Sequence, residues 1–287
     1  MGVVLPVLLA LFAALSNAFA TVLQRRAALT VPQSEGFRFG LILDLLRRPV
    51  WIAGILAVIA AGAGQAAALA TGPLALVQPL FVLELPLALL IASLLARGRL
   101  SGALWLAVAA VVAGLGVALA AAAPEGNLKD VPPDRWIPAL AGCAAAVAAL
   151  AVAGLRRPPG RARAACLGAA TAVCYALTAA LMKSAVTRLG EGGGIGAFLT
   201  AWQTYAFAAS GVCALLLLEH AMQGGPLIAS QPALTLGDAT VSIALGILLY
   251  EEHVRAGWWL LPQLLGITLI SAGILALSRS GAGDGSP

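Results

Sequence analysis

The sequence has few charged side chains, and this scarcity excludes most soluble proteins. Only 10% of its 287 residues are Asp, Glu, Lys or Arg, whereas an ordinary soluble domain has roughly 25%. Because 61% of the residues are hydrophobic, the chain is predicted to be an all-α polytopic membrane protein whose main partner is the lipid bilayer. The net charge of +5 then indicates basic loops beside the membrane and no nucleic-acid partner.

The sequence also lacks the motifs of enzymes and cofactor sites. It contains no nucleophile elbow, no glycine-rich phosphate loop and no zinc-ligand spacing, so we expect neither an enzyme nor a bound cofactor. The cysteines lie in apolar runs without the spacing of a metal or redox motif: Cys143, Cys166, Cys174 and Cys213. We interpret them as small buried hydrophobic residues.

Long apolar runs dominate the chain. A helix needs about 20 apolar residues to cross the hydrocarbon layer, and nine runs reach roughly that length: residues 2–23, 51–70, 73–96, 101–122, 136–154, 165–182, 196–218, 226–249 and 257–278. The first is interpreted as an uncleaved span, because no positive charge precedes it as a signal peptide would require. A shorter apolar patch at 39–46 predicts an interfacial helix on the cytoplasmic face, and residues 279–287 predict a disordered tail.

Basic residues predict the orientation of these spans. With the N-terminus outside, the cytoplasmic segments contain the arginine pairs at 25–26, 47–48 and 156–157. Cytoplasmic loops are enriched in Lys and Arg. The sequence therefore predicts a multi-pass protein of the plasma membrane with its N-terminus outside and its C-terminus in the cytoplasm.

The second half of the chain repeats the first. Without a gap, an offset of 153 residues pairs three short motifs: Gly72-Pro73-Leu74 with Gly225-Pro226-Leu227, Gln78-Pro79 with Gln231-Pro232, and Trp105 with Trp258. Five spans separate each element from its copy, so the copies cross the membrane in opposite directions. We therefore predict two inverted repeats, residues 1–154 with five spans and residues 155–278 with four, an architecture typical of secondary transporters.

Two carboxylates lie near the centres of predicted spans. Glu84 in the third span and Asp238 in the eighth are the only charged residues that the predicted spans place deep within apolar segments. A charge facing lipid costs at least about 2.5 to 3.5 kcal/mol, so such groups normally face a cavity or the bundle interior. We expect both to face one central cavity and to bind a solute or metal ion. The alternative is that each only hydrogen-bonds a neighbouring helix.

Amides and prolines accompany these carboxylates. Gln78 and Gln231 offer oxygen ligands, while Pro79, Pro86 and Pro232 are predicted to kink their spans or to free carbonyl groups nearby. The prolines could instead only shape helix packing. Other polar residues within spans either line the path or bridge helices, and we favour bridging for each: Asn17, Gln65, Gln203 and Gln263.

An acidic cluster ends the eighth span. Glu251, Glu252 and His253 could concentrate cations at the mouth of a pathway. A solvated helix end is the simpler interpretation of the same residues.

The segment "QPALTLGDATVSIALGILLYEEHVRAGWWLLPQLLGITLISAGILAL", residues 231–277, resembles the repeat of the drug/metabolite transporter (EamA-like) superfamily. The order of "LQRRAA" at 23–28, "RRPVWIAG" at 47–54 and "ATGPLALVQPL" at 70–80 is similar, more narrowly, to its NIPA-like magnesium transporter branch. The first half departs from the superfamily pattern, because Gly98 and Arg99 stand where the second half has Glu251 and Glu252.

The resemblance implies a secondary transporter that moves a small solute by alternating access. A divalent cation such as magnesium prefers hard oxygen ligands, which makes Glu84 and Asp238 its expected ligands. One alternative is proton-coupled export of a small organic metabolite or drug on the same carboxylates. A second is a non-transporting assembly or partner-binding subunit, in which the two carboxylates would pack without a cavity between them.

Overall fold

The computed structural model describes residues 3–29, 49–95, 101–126, 128–129, 131–190 and 194–283. About 89% of the described part is helical and it contains no strand. Nine of its helical segments are long and apolar enough to cross a membrane. The prediction of an all-α membrane protein is therefore confirmed.

The helices are numbered in chain order. Their bounds are α1 (Val4–Leu29), α2 (Pro49–Thr71), α3 (Leu74–Leu80), α4 (Glu84–Leu95), α5 (Gly102–Ala122), α6 (Pro133–Leu155), α7 (Arg161–Arg188), α8 (Gly194–Thr200), α9 (Trp202–Gly224), α10 (Leu227–Tyr250) and α11 (Leu260–Gly283). The third span consists of α3 and α4, which a single 3-10 turn at Phe81–Leu83 joins.

Several helix bounds differ from those of the predicted spans, and the first helix, for example, continues to Leu29, beyond its predicted end at residue 23. The sixth span continues to Arg188, beyond its predicted end at residue 182. The seventh begins at Trp202 because residues from Gly194 to Thr200 form the separate short helix α8. The last helix extends to Gly283, into the segment predicted to be a disordered tail. The predicted interfacial helix at 39–46 lies outside the described residues, as do residues 284–287.

The third and sixth spans form the centre of the bundle, since more than half of each is buried. Around them, α1 packs against α2, α7 against both α9 and α10, and α5 against α11. Large apolar side chains on the outer helices, such as Leu8, Ile59 and Leu106, are exposed. An exposed apolar belt of this kind suits a hydrocarbon surrounding.

The bundle has two ends. The Gly72 end is the one at which α1 begins, α2 ends and α3 begins, and it includes the described residues between α5 and α6 and the loop 251–256. The Gly160 end is the one at which α7 and α10 begin and α9 ends. There the Gly160 N–H donates to the Gly224 carbonyl at 2.8 Å.

The two loops at the Gly72 end are tied together. Glu125 and His253 exchange two backbone hydrogen bonds of 3.0 and 2.7 Å, and the Arg255 N–H donates to the Ala122 carbonyl at 2.9 Å. The side chains of Arg135 and Glu251 form an ion pair over this contact. The loops that follow α5 and α10 are therefore held as one unit.

Candidate functional site

A cavity of about 530 Å³ lies between the central helices. Its walls come from α1, α2, the third span, α7, α9 and α10, and its polar lining consists of Asn17, Thr21, Gln65, Gln78, Glu84, Tyr175, Thr178, Gln231, Thr235 and Asp238. All four residues that the sequence predicted as solute ligands thus line one cavity. Among the described lining residues two are acidic and none is basic, so any charge that ionisation of the lining gives the cavity is negative.

Glu84 is placed by a break in its span. The chain leaves α3 after Leu80, makes the 3-10 turn, and re-enters an α-helix with Glu84 as its first residue. The Glu84 carboxyl lies within hydrogen-bonding reach of Asn17 and Thr21 on α1. A 3-10 turn inside a helix often marks a hinge, so Glu84 stands where the third span can change direction.

Asp238 approaches the cavity from the other half of the chain. The Ser242 hydroxyl, one turn further along α10, donates to its carboxylate at 3.4 Å. Tyr175 on α7 lies close enough to interact electrostatically with both Asp238 and Glu84. Three helices, α4, α7 and α10, therefore bring an aromatic hydroxyl and two carboxylates to the same space.

A 3-10 turn interrupts the helix near the prolines of the first half, whereas the helix around Pro232 is continuous. The kinks and freed carbonyl groups expected at the three prolines stay predictions. Pro79 lies in α3, two residues before the 3-10 turn. Pro86 lies in the first turn of α4, where a missing N–H has little effect. Pro232, in contrast, lies within the continuous helix α10. The two halves therefore present their glutamines differently, because Gln78 precedes an interruption and Gln231 does not.

Metal-binding clusters are absent from the described residues, of which no group of three or more His, Cys, Asp or Glu could hold a metal ion. The chemistry on offer is two carboxylates with amide and hydroxyl oxygens around them. Such a set suits a cation that keeps part of its hydration shell, as magnesium usually does.

The predicted mouth residue Glu252 is not at a solvated surface. Glu251 adopts a left-handed conformation with φ of 52° and turns the chain back, so that the Glu252 N–H donates to the Gly246 carbonyl at 3.1 Å. A Cβ on Gly246 would collide with the Glu252 carboxylate, so this glycine makes the fold-back sterically feasible. As a result Glu252 is only 2% exposed.

Glu252 joins the start of α3 to α7. Its carboxylate accepts the N–H groups of Leu74 at 2.5 Å and Ala75 at 2.8 Å, two of the groups that a helix start leaves without a partner. It also pairs with the Lys183 ammonium at 2.9 Å, and Lys183 is 1% exposed. Sequence reasoning therefore missed two buried charged side chains, because the predicted spans included neither Lys183 nor Glu252.

Lys183 has two further partners. Its ammonium donates to the Gly72 carbonyl at 2.9 Å and lies 4.5 Å from the centre of the Tyr250 ring, a favourable cation–π distance. The Tyr250 hydroxyl donates to the Ala180 carbonyl at 2.5 Å and lies 2.8 Å from the Ser184 hydroxyl. The sequence placed Lys183 in a loop because the sixth span was expected to end one residue before it.

The other polar residues within spans divide between the two roles. Asn17 and Gln65 line the cavity. Gln263 bridges, because its amide donates to the Arg255 carbonyl at 2.7 Å and to that of Ala121 at 3.4 Å. Gln203 is buried, at 5% exposure.

Sequence reasoning missed the contribution of α7 to the cavity. Tyr175, Thr178, Ala179 and Met182 all line it, and their spacing of three, four and seven residues is that of one helix face. Gln231, Leu234, Thr235 and Asp238 on α10 repeat the same spacing. A search for polar residues three or four positions from Asp238 would have found Thr235. The same search could not be made on α7, because no charged residue lies near the centre of that helix.

Comparisons with known proteins give a similarity over nearly the whole chain. An uncharacterised protein of Corynebacterium glutamicum is 29% identical over 282 residues, which cover 96% of this chain and 95% of that protein. No protein-family model matches the chain, and no solved structure matches it.

Proposed function

We propose that the chain is a secondary transporter of the drug/metabolite transporter superfamily, moving a small solute by alternating access. The observation that carries this proposal is the cavity of about 530 Å³ to which both halves contribute a carboxylate and a glutamine. Buried carboxylates that face a cavity within a membrane bundle typically mark a pathway. A partner-binding subunit would need no such space between Glu84 and Asp238, so the cavity favours transport.

Two inverted repeats are part of the proposal. Pro73 and Pro226 each stand directly before a helix, with similar backbone angles of φ −62°, ψ 142° and φ −68°, ψ 139°, and the two helices start from opposite ends of the bundle. In the first half α1 packs against α2 and the third span, and in the second half α7 packs against α9 and α10. These parallels support the assignment of the third span as the counterpart of the eighth.

A divalent cation such as magnesium is the leading solute. The two carboxylates and the surrounding amide oxygens are hard ligands of the kind that it prefers. Six waters occupy roughly 180 Å³ at about 30 Å³ each, so a hydrated ion fits within the cavity. The absence of basic groups among the described lining residues favours a cation over an anion.

A small organic solute exchanged for protons is the second candidate. The cavity has about three times the volume of six waters at about 30 Å³ each, and Phe81 and Tyr175 contribute aromatic surface to its wall. In this version Glu84 and Asp238 carry the protons.

The test is flux through purified protein in liposomes that contain a magnesium-sensitive and a pH-sensitive dye. The double variant Glu84→Gln/Asp238→Asn is compared with the parent, and Glu219→Gln, an exposed acid on α9, is the matched control. Magnesium uptake that the double variant loses and the control keeps supports the cation. Uptake that persists unchanged in the double variant refutes the site, and proton movement driven only by an organic solute selects the second candidate.

A further inference from the structure

The cavity extends from the middle of the bundle towards both ends. Towards the Gly160 end its lining reaches Leu218, near the end of α9, and Gln231, near the start of α10. Towards the Gly72 end it reaches Gln65 on α2, Gln78 on α3 and Met182 on α7. Gln78 and Met182 therefore form part of the wall that faces the Gly72 end.

Directly beyond that wall lies the cluster formed by Gly72, Lys183, Ser184, Tyr250 and Glu252. Lys183 follows Met182 in α7, and the Glu252 carboxylate holds the first turn of the helix that carries Gln78. The side chains of the cluster are at most 5% exposed. The cluster therefore fills the space between the cavity and the Gly72 end.

Three separate parts of the chain meet in this cluster. Lys183 comes from α7, Gly72 from the junction between α2 and α3, and Glu252 from the loop after α10. A path that runs to the Gly72 end between these parts requires them to move away from one another.

We propose that the Lys183–Glu252 ion pair, with the Gly72 carbonyl, is a latch that keeps the Gly72 end of the cavity closed, and that its release opens this end. The inference rests on the proposed transport function and adds the gate to it. A closed latch at the Gly72 end corresponds to one of the two states that alternating access requires.

An ion pair suits a latch better than an apolar plug does. Burying two charges costs nearly as much as their attraction returns, and both groups are well solvated when water reaches them. Separation of the pair can therefore be nearly balanced in free energy, whereas separation of apolar surfaces in water is always unfavourable.

The element that the latch holds is able to move. Helix α3 has only seven residues and lies between the Gly72-Pro73 junction and the 3-10 turn at Phe81–Leu83. Release of the Glu252 carboxylate frees the first N–H groups of α3, so this helix can tilt between the Gly72-Pro73 junction and the 3-10 turn. Because α3 carries Gln78 into the cavity, opening of the latch also changes the solute site.

Accessibility of a cysteine in the cavity tests the latch without measuring transport. In a background with Cys143, Cys166, Cys174 and Cys213 replaced by alanine, Ala179→Cys places a thiol on the cavity wall, one helical turn from Lys183. A membrane-impermeant thiol reagent is applied to liposomes from one side and then from the other. The parent should react quickly from the Gly160 side and slowly from the Gly72 side.

Latch variants should change only one of these rates. We expect Lys183→Met, Glu252→Gln and the double variant to react about tenfold faster from the Gly72 side, a shift of population towards the open state. Arg135→Met, which breaks the exposed ion pair at the same end, should leave the rate unchanged. The double variant leaves no lone buried charge, so it tests the latch even if a single variant fails to fold, and size-exclusion chromatography and thermal unfolding verify its folded state.

The outcomes separate the latch from the transport proposal. An unchanged rate in the folded double variant overturns the latch, and so does an equal acceleration in Arg135→Met. If the latch variants are labelled faster but the parent shows no flux of magnesium or of an organic solute, the labelling supports the latch and the missing flux counts against the proposed function. Normal flux with no change in labelling counts against the latch alone.

Discussion

Gly114 on α5 and Gly266 on α11 meet backbone to backbone. A Cβ added to Gly114 would lie 2.7 Å from the Gly266 carbonyl oxygen, and one added to Gly266 would lie 2.5 Å from the Gly114 carbonyl oxygen. Small residues allow membrane helices to approach this closely and to gain dispersion contacts along their length. The contact joins the last span of the chain to the fourth.

We expect Gly114→Ala and Gly266→Ala to destabilise the bundle by about 1 to 3 kcal/mol, because an added methyl group in a tight contact forces the helices apart. Gly116→Ala is the matched control, since it lies on the same helix with no atom within 4 Å of its added Cβ. Alanine favours helix over glycine by up to about 1 kcal/mol, so this control should be neutral or stabilising. The check is thermal unfolding in detergent, and equal midpoints for Gly114→Ala and Gly116→Ala would contradict the packing.

Replacing Lys183 in the buried ion pair should lower the stability of the protein much more than replacing Arg135 in the exposed one. Lys183→Met leaves Glu252 charged and buried, which typically costs about 3 to 5 kcal/mol. Arg135→Met breaks an exposed pair, whose side chains are 31% and 52% exposed, and such pairs contribute only about 0 to 1 kcal/mol.

The measurement is again the midpoint of thermal unfolding in detergent. The double variant Lys183→Met/Glu252→Gln should recover most of the stability that Lys183→Met loses, because no unpaired charge remains. If the double variant loses as much stability as the two single variants lose together, or more, the two charges are not partners.

The cavity carboxylates should each be needed for flux. Loss of one charge-assisted contact costs about 1.5 to 3 kcal/mol, so Glu84→Gln and Asp238→Asn should each lower flux at subsaturating solute roughly tenfold to a hundredfold. Flux is measured in liposomes against Glu219→Gln. If one single variant abolishes flux and the other is indistinguishable from the parent, the two residues do not share a ligand.

The glutamines should tune affinity more than rate. Gln78→Leu and Gln231→Leu each remove a neutral ligand, worth about 0.5 to 1.5 kcal/mol, and should raise the half-saturating solute concentration about two- to tenfold. Gln223→Leu, an exposed residue at the end of α9, is the control. An unchanged half-saturating concentration in Gln78→Leu would show that this buried amide serves α3 and not the solute.

Most of the fold was predictable because a bilayer imposes a simple length rule. Runs of about 20 apolar residues are strong signals, and all nine spans are found in the described residues. The errors lie at positions where the length of an apolar run does not determine where a helix ends. The sixth span passes through Lys183 to Arg188 because a distant partner neutralises that charge, and hydropathy counts Lys183 as a stop.

The candidate site was predictable only where a charge or the sequence repeat marked a residue. Glu84 and Asp238 were recognisable because carboxylates are rare at the centre of a span, and Gln78 and Gln231 because the repeat pairs them. Tyr175 and Thr178 have no such mark, since tyrosine and threonine are common in membrane helices. The burial of Glu252 depends on the left-handed turn at Glu251 and on space above Gly246, and neither is visible as a pattern.

The ion pair between Lys183 and Glu252 has a consequence for biosynthesis. Lys183 leaves the ribosome 69 residues before Glu252, so the sixth span enters the membrane before its counter-charge exists. The two-stage view of membrane folding separates insertion of helices from their later association. The final depth of the sixth span is therefore fixed only after the eighth span has been made, and chains truncated before Glu252 should keep Lys183 in the aqueous phase.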